Sequence, residues 1–241
     1  MSGTEVSQTI HEKLGTLIDN TQSGERLPSE PDLAQDLGVS RATLREAMRT
    51  FETRGLLQRK QGVGTFVIHP TNVFESGLEH LVSLETIADQ IGLEVFQGDL
   101  DVERTKADQV TAEHMNLEPG EEVLRVSRVI MAENRPIAYL IDTLPADVLS
   151  PEEMGPDFKG SVLDLLIQRS DPPLASSRCD INAIGATSDI ARALDIQRHD
   201  PLLVFTSQLY SIRGRVIDFS YSYFLPGYFR FHIVRRIGDE I

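Results

Sequence analysis

Arg41, Arg45 and Arg49 stand four residues apart. On a helix that spacing lines all three guanidiniums along one face. Such a face suits a polyanion, because each guanidinium can fork onto phosphate oxygens or onto the O6 and N7 edge of a guanine. No acid interrupts the stripe, and residues 40–64 carry six bases against Glu46 and Glu52 alone. A merely solvated helix face would alternate its charges. Other chemistry is poorly provided for. His11, His69, His80, His114, His199 and His232 show no metal-ligand spacing. The single cysteine, Cys179, excludes an intrachain disulfide or a cysteine zinc site and reads as a small core filler. No Gly-x-Ser-x-Gly, His-Glu-x-x-His or phosphate-loop motif occurs. The residues point away from an enzyme, a metal or a cofactor.

The elements that must hold the arginine stripe are legible on either side of it. Ile10, Leu14, Leu17 and Ile18 recur at helical spacing. Ser29-Glu30-Pro31-Asp32 reads as a helix start, with a serine cap, a proline in the first turn and acids facing the dipole. In that reading Glu30 serves the dipole. Leu33, Ala34 and Leu37 form this helix's apolar stripe, and Gly38 stops it in the left-handed conformation. Ser40 caps the next helix, which buries Leu44, Ala47, Met48 and Phe51 and turns the arginines outward. Two short helices joined by Leu37-Gly38-Val39-Ser40 form the helix-turn-helix pattern. Residues 55–68 then read as a hairpin with a small, basic Gly62-Val63-Gly64 tip, where a bare backbone can approach DNA closely.

The net charge of −14 opposes a nucleic-acid partner only if it is spread evenly. It is not: residues 1–70 carry a net −1 and residues 71–241 carry −13. Exposed charges farther apart than about 8 Å are largely screened at physiological salt, so a basic face can work beside an acidic bulk. The 40% hydrophobic content is that of a folded chain. No apolar run reaches the roughly 18–20 residues that span a bilayer. The first residues lack a basic and then apolar leader. A cytoplasmic location with no membrane partner is the expectation.

Length predicts two domains. His69-Pro70-Thr71-Asn72 has linker composition, giving residues 1–69 as the first domain, 70–78 as linker and 79–241 as the second. Strand patterns occur at Glu94–Arg104, Glu122–Met131, Arg135–Pro145, Ser176–Ala183, Leu202–Ile212, Val216–Leu225 and Arg230–Arg235. Helical patterns fall near Gly77–Gly92, Ala107–Asn116, Ser161–Ser170 and Ser188–Asp195. Seven strands with four helices predict an α+β domain on one antiparallel sheet. A helix and hairpin at 112–145 is echoed at 191–226, as expected of a duplicated unit around a shared cleft.

The motifs of residues 5–68 resemble the winged helix-turn-helix of the GntR family of bacterial transcription regulators: Leu27-Pro28-Ser29-Glu30, Leu37-Gly38-Val39-Ser40-Arg41-Ala42-Thr43-Leu44-Arg45, Gly55-Leu56-Leu57 and Gly62-Val63-Gly64-Thr65-Phe66-Val67. The strand-rich remainder is similar to the UTRA effector-sensing domain of the HutC subfamily, a fold shared with chorismate lyase. Gly120-Glu121-Glu122-Val123, Pro136-Ile137-Ala138, Gly160-Ser161 and Tyr228-Phe229-Arg230-Phe231 carry that likeness. The resemblance implies a homodimeric, ligand-responsive repressor on a palindromic operator in double-stranded DNA, released by a small-molecule effector. Rival readings are a constitutive architectural DNA-binder without effector and a chorismate-lyase-like enzyme. Arg45 is implied to read bases. Arg41, Thr43 and Arg49 are implied to contact phosphates or base edges. Ser29 and Ser40 put helix N-termini near phosphate, and Gly62 and Gly64 form the wing tip.

For the effector, the resemblance carries over Ser83, Arg128, Ser161 and Asp218. Ile130 replaces a second arginine, Leu140 a glutamate, and Leu163 and Phe224 two tyrosines of sugar-phosphate-binding members. One arginine is poor provision for a dianion. The expected effector is therefore not a sugar phosphate. A carboxylate, a nucleoside-like or amphiphilic ligand, or an uncharged sugar is expected instead.

Overall fold

The structure, a computed structural model, describes residues 3–22, 24–53, 56–60, 63–67, 74–154, 158 and 160–233. The chain forms two compact units, Met1–Val73 with Leu225–Tyr228, and Phe74–Phe224 with Phe229–Ile241.

The first unit holds three helices, α1 (Gly3–Asp19), α2 (Glu30–Leu37) and α3 (Arg41–Thr53), then a hairpin of β1 (Leu57–Lys60) and β2 (Gly64–Val67). The apolar stripes read from the sequence close into one core. Ile10, Leu14 and Ile18 of α1 meet Leu33 and Ala34 of α2, Leu44, Ala47, Met48 and Phe51 of α3, and Leu57 and Val67 of the hairpin. Gly38 ends α2 at φ +69°, and the Val39 N–H donates to Ala34 O at 2.9 Å. Ser40 Oγ accepts from the Thr43 N–H at 3.1 Å, which starts α3. Residues 24–27 add an irregular third strand to the hairpin: Gly24 N–H donates to Val67 O and Leu27 N–H to Thr65 O.

The second unit is built on a six-stranded antiparallel sheet in the order β4-β5-β6-β9-β8-β7. Its strands are β4 (Val95–Lys106), β5 (Glu122–Ala132), β6 (Arg135–Pro145), β7 (Leu174–Gly185), β8 (Pro201–Ser211) and β9 (Val216–Phe224). The helices are α4 (Leu84–Ile91), α5 (Gln109–Met115), α6 (Val162–Arg169) and α7 (Ser188–Ala193). The chain runs helix, strand, helix, strand, strand twice, with element starts offset by 78 to 81 residues. The internal echo is thus longer than the helix and hairpin seen in the sequence, and the two halves meet at the β6–β9 seam. One sheet face packs Leu124, Val126, Leu144 and Leu209 against Val162 and Leu166 of α6. The other packs Val123 and Phe219 against Ala112 and Met115 of α5.

Three expectations change. Only six of the seven strands join the sheet. The last, β10 (Phe229–His232), pairs in parallel with β3 (Phe74–Gly77). The preceding β9 already has β6 and β8 on its two sides. Pro226, which has no N–H, and Gly227 at φ +99° then turn the chain away. The helix expected over 77–92 begins only at Leu84, because Ser83 caps it there. Gly77 closes β3, so a strand occupies part of the stretch read as linker.

Gly38 offers a direct test of the turn. A Cβ there would meet nothing within 4 Å, so its cost is backbone strain alone. Gly38→Ala should lower stability by roughly 1 kcal/mol, read as a lower urea midpoint with an unchanged slope.

Candidate nucleic-acid interface and ligand cavity

In the first unit the start of α2, the first turns of α3 and the hairpin enclose a groove of about 630 Å³. Arg26, Arg41, Arg45 and Arg59 line it, together with Ser29, Glu30 and Gly64. Glu30 is the carboxylate at its centre. Arg45 Nε donates to Glu30 Oε2 at 2.8 Å, and Arg59 pairs with the other carboxylate oxygen. Glu30 therefore ties the recognition helix to the wing, a role the dipole reading missed. The Arg45 side chain stays 57% exposed and Arg59 41%. Pairs this wet contribute at most about 1 kcal/mol of stability. What Glu30 supplies is direction: it fixes two long side chains before DNA arrives.

The other expected contacts fall around this groove. Ser29 Oγ accepts weakly from Asp32 N–H at 3.4 Å and donates to Asp32 Oδ2 at 2.5 Å. Ser40 and Thr43 are exposed at the start of α3, their hydroxyls 2.7 Å apart. Arg49, one turn beyond Arg45, is half-buried and outside the groove lining, so the uniform stripe divides. Gly64 has φ +142°, and a Cβ there would collide with the Arg26 side chain. Glycine at 64 thus lets Arg26 lie across the wing. Gly62 lies outside the described residues. Arg26 and Arg59 were not singled out from sequence. Their signal was Arg59's place in the basic stretch and Arg26's place just before Leu27-Pro28.

The second unit holds a cavity of about 670 Å³ between the sheet and the starts of α4 and α6. Cross-strand pairing sets its floor. Arg128, Leu140, Ser222, Phe205 and Ile181 form one row across five strands. Asp142, Ser220, Ser207 and Cys179 form the next, and Asp218, Leu209 and Ser177 a third. Side chains two apart on a strand share a face, so all three rows present to the same cavity. Ser83, Arg128, Ser161 and Asp218, named from the resemblance, all line it, as do the replacements Leu140, Leu163 and Phe224.

Each of the four has an internal partner. Ser83 Oγ accepts from Thr86 N–H at 3.0 Å and donates to Asp164 Oδ2 at 2.6 Å. Ser161 Oγ accepts from Asp164 N–H at 3.0 Å. The two serines are thus the caps of α4 and α6, tied through one aspartate. Arg128 is buried, 2% exposed. Its Nη1 donates to Glu85 Oε1 at 2.8 Å and to Gly160 O at 2.6 Å. Its Nη2 lies 3.7 Å from Asp142 Oδ2, an ion pair too long for a hydrogen bond. Asp218 Oδ1 accepts from Thr143 N–H at 3.2 Å. Burial, with the Asp142 charge second, pushes the Asp218 carboxyl well above the usual carboxylate range. Burial pushes Asp142 up too, with Arg128 pulling it back.

Glu85 and Asp142 were missed in the sequence. Asp142 is the lone charge in the apolar run of β6, two residues from Leu140 and on its face. The carboxylate absent at Leu140 is therefore replaced by another in the same cavity. Cys179 corrects a further expectation. It is exposed on the outermost strand, β7, and is no core filler. Desolvation still raises its thiol, which argues against a reactive thiolate.

No group of three or more His, Cys, Asp and Glu among the described residues can hold a metal ion. No described helix is long and apolar enough to cross a membrane. The sequence profile of the gntR family of bacterial regulatory proteins matches residues 6–67, and that of the UTRA domain matches residues 94–230. The Histidine utilization repressor of Klebsiella aerogenes is 28% identical over 214 residues, which cover 86% of this chain and 83% of that protein. The HTH-type transcriptional repressor NagR of Bacillus subtilis (strain 168) is 26% identical, over 95% of this chain and 94% of that one. The crystal structure of PhnF from Mycobacterium smegmatis shares the fold at a TM-score of 0.64 and 21% identity, over 95% of this chain and all of that one.

Glu30→Gln should raise affinity for random duplex DNA, since it removes a negative charge from the groove. It should narrow the ratio between a duplex selected by the protein from a random pool and random duplex, since glutamine offers one acceptor oxygen where Glu30 holds Arg45 and Arg59 with two. Arg45→Ala should cost about 1–3 kcal/mol on the selected duplex. Fluorescence anisotropy on both duplexes separates these effects.

For Asp218 the sign follows from its raised carboxyl. The native state holds a proton that the unfolded chain releases above about pH 4, so the burial cost is absent below that and grows as pH rises toward the native value. Asp218→Asn should match the parent's melting temperature near pH 4 and gain on it as pH rises. A difference that stays flat with pH would count against buried charge as the cost.

Proposed function

The chain belongs to the gntR family of bacterial regulatory proteins with a UTRA domain, and on that premise we propose that it is a transcription repressor whose hold on DNA is set by a small molecule in the cavity of its second unit. It is a regulator by family and not an enzyme. The observation that carries the DNA reading is the convergence of Arg26, Arg41, Arg45 and Arg59 in one exposed groove at the start of α3. Residues 1–69 read the duplex, with Arg45 on a guanine and Arg41, Thr43 and Arg49 on phosphates or base edges. Ser29 and Ser40 bring helix ends toward phosphate, and the wing tip at Gly62 and Gly64 enters the minor groove. The stretch after residue 69 leads into the second unit, which begins at Phe74 and which senses effector and dimerises. The protein acts in the cytoplasm, where its operator lies.

Repression is supported by the printed names of relatives over nearly the whole chain, among them NagR and the Mannosyl-D-glycerate transport/metabolism system repressor MngR of Escherichia coli (strain K12), 24% identical over 96% of this chain and 95% of that one. The relatives' names mention histidine utilization in one case and mannosyl-D-glycerate transport and metabolism in another, so no effector is carried over from them. Ser83, Arg128, Ser161 and Asp218 surround the effector, and a sugar phosphate is not that effector. A single winged helix reads few base pairs. A homodimer on a palindromic operator doubles the read length and matches protein symmetry to DNA symmetry. Effector that binds better to the DNA-incompetent state shifts the population off the operator.

The test is duplex selection from a random pool, followed by mass measurement of the complex. A palindrome bound by two chains is expected, with half-sites about one helical turn apart or a multiple of it. A non-palindromic site bound by one chain would overturn the dimer reading.

A further inference from the structure

The cavity's charge is opposite to what an anionic effector needs. Its wall holds one buried arginine, Arg128, against the carboxylates of Glu85 and Asp142, while Asp218, which keeps its proton in the fold, adds no positive charge. Glu79 and His80 stand farther out on the same lining. Arg128 is already spent: Glu85, Gly160 and Asp142 surround its guanidinium. After that pairing, Glu85 Oε2 and Asp142 Oδ2 are buried acceptors without a hydrogen bond, and Arg128 Nε is a buried donor without one. Buried polar atoms are normally satisfied by protein, water or ligand, so each of these atoms is a point at which a bound molecule can make a hydrogen bond. Two carboxylate oxygens call for N–H donors, best from a cation. One arginine N–H calls for a single acceptor oxygen. Beside them Phe205, Phe224 and Phe231 form a ring cluster with centroids 4.5–5.0 Å apart, a surface that holds an apolar body and favours a nearby cation.

We propose that the cavity's ligand is a small organic cation, an amine or similar N–H-rich group that also carries one acceptor oxygen and an apolar face. The inference rests on the reading of the cavity as the effector site and gives that effector its charge. It also narrows the expectation from sequence: a carboxylate ligand would bring its charge to Glu85 and Asp142 and to a base they already engage. The serine hydroxyls of Ser207, Ser220 and Ser222 continue the polar strip toward the rings and suit a hydroxylated or ring-bearing body.

The experiment is a melting-temperature series on the full chain, using probes matched in shape and differing in charge. Glucosamine, glucose, gluconate and inorganic phosphate form one set; tyramine and hydroxyphenylacetate form the other. The expected result is that glucosamine or tyramine raises the melting temperature by about 5 °C near saturation, while glucose and the anions do not. Glu85→Gln should weaken that cation at least tenfold, and Ser222→Leu, which narrows the cavity without touching its charge, should weaken it as well. Two variants guard against one that fails to fold. Stabilisation by gluconate, hydroxyphenylacetate or phosphate that Ser222→Leu abolishes would overturn the charge inference and leave the cavity as effector site. Equal response to glucosamine and glucose would do the same. Cation binding unaffected in both variants would remove the cavity reading as well. Silence from both cations overturns the proposed class.

Discussion

Taking an ion out of water costs several kcal/mol unless a counterion and hydrogen bonds come with it. That constraint organises both sites of this chain, at two depths. In the first unit Glu30 sits at the floor of a wet groove and draws Arg45 and Arg59 to it. The pairs are too exposed to matter much for stability, and their effect is geometric. In the second unit Arg128 is almost wholly buried, and Glu85, the Gly160 carbonyl and Asp142 are its compensation. Removing one partner of such a buried pair costs about 3–5 kcal/mol. The cavity floor cannot lose Arg128 cheaply even though its charge is fully engaged. Arg128, expected from the resemblance to face the effector, is thus also a keystone of the cavity wall.

The duplication explains why charge collects there. Each half contributes a capped helix and three strands, and the halves meet between β6 and β9. The seam puts Asp142 of one half opposite Ser220 of the other. The caps are also joined across the halves, since Asp164 of α6 accepts from Ser83 at the start of α4 while its own N–H is held by Ser161. Helix N-termini carry partial positive charge, which favours Glu85 and Asp164 in the first turns of α4 and α6. The cavity is where two helix starts and two inner strands converge. Its carboxylates are stabilised partly by the helix ends above them.

Much of this was legible in the chain. Periodicity, serine caps and glycine stops placed α2, α3 and α6 and the inner strands closely, because each is fixed by local chemistry and a half-buried face. The seventh strand was not legible as an outsider. Its alternation is ordinary, and nothing in it tells that β9, just before it, is already paired on both sides or that its own partner is β3. Site residues divided on similar lines. Ser83, Arg128, Ser161 and Asp218 came from matched motif positions. Glu30's double pairing, and the approach of Glu85 and Asp142 to Arg128, join residues 14 to 43 apart in sequence. No local pattern encodes those encounters. What the sequence did offer, a lone aspartate in an apolar strand, is the signature of a paired buried charge and marks the position to question first.

The shared caps also suggest how an occupied cavity could be felt outside it. Glu85 lies in the first turn of α4, the first helix after β3, and its Oε2 makes no hydrogen bond to another described residue. A ligand that engages that oxygen shares the carboxylate with Arg128, which holds Oε1, and Ser83 two residues earlier is tied to α6 through Asp164. Binding therefore loads the joint between the two halves at the helix nearest in sequence to the wing. The affinity difference between states sets how far that load can move the population: about 10⁴-fold takes a switch from 99% to 1% competent, and a hundredfold gives partial release. A buried charge-assisted contact made in one state and lost in the other supplies differential binding of several kcal/mol. An apolar cavity of the same size would bind its ligand in either state with little to tell them apart.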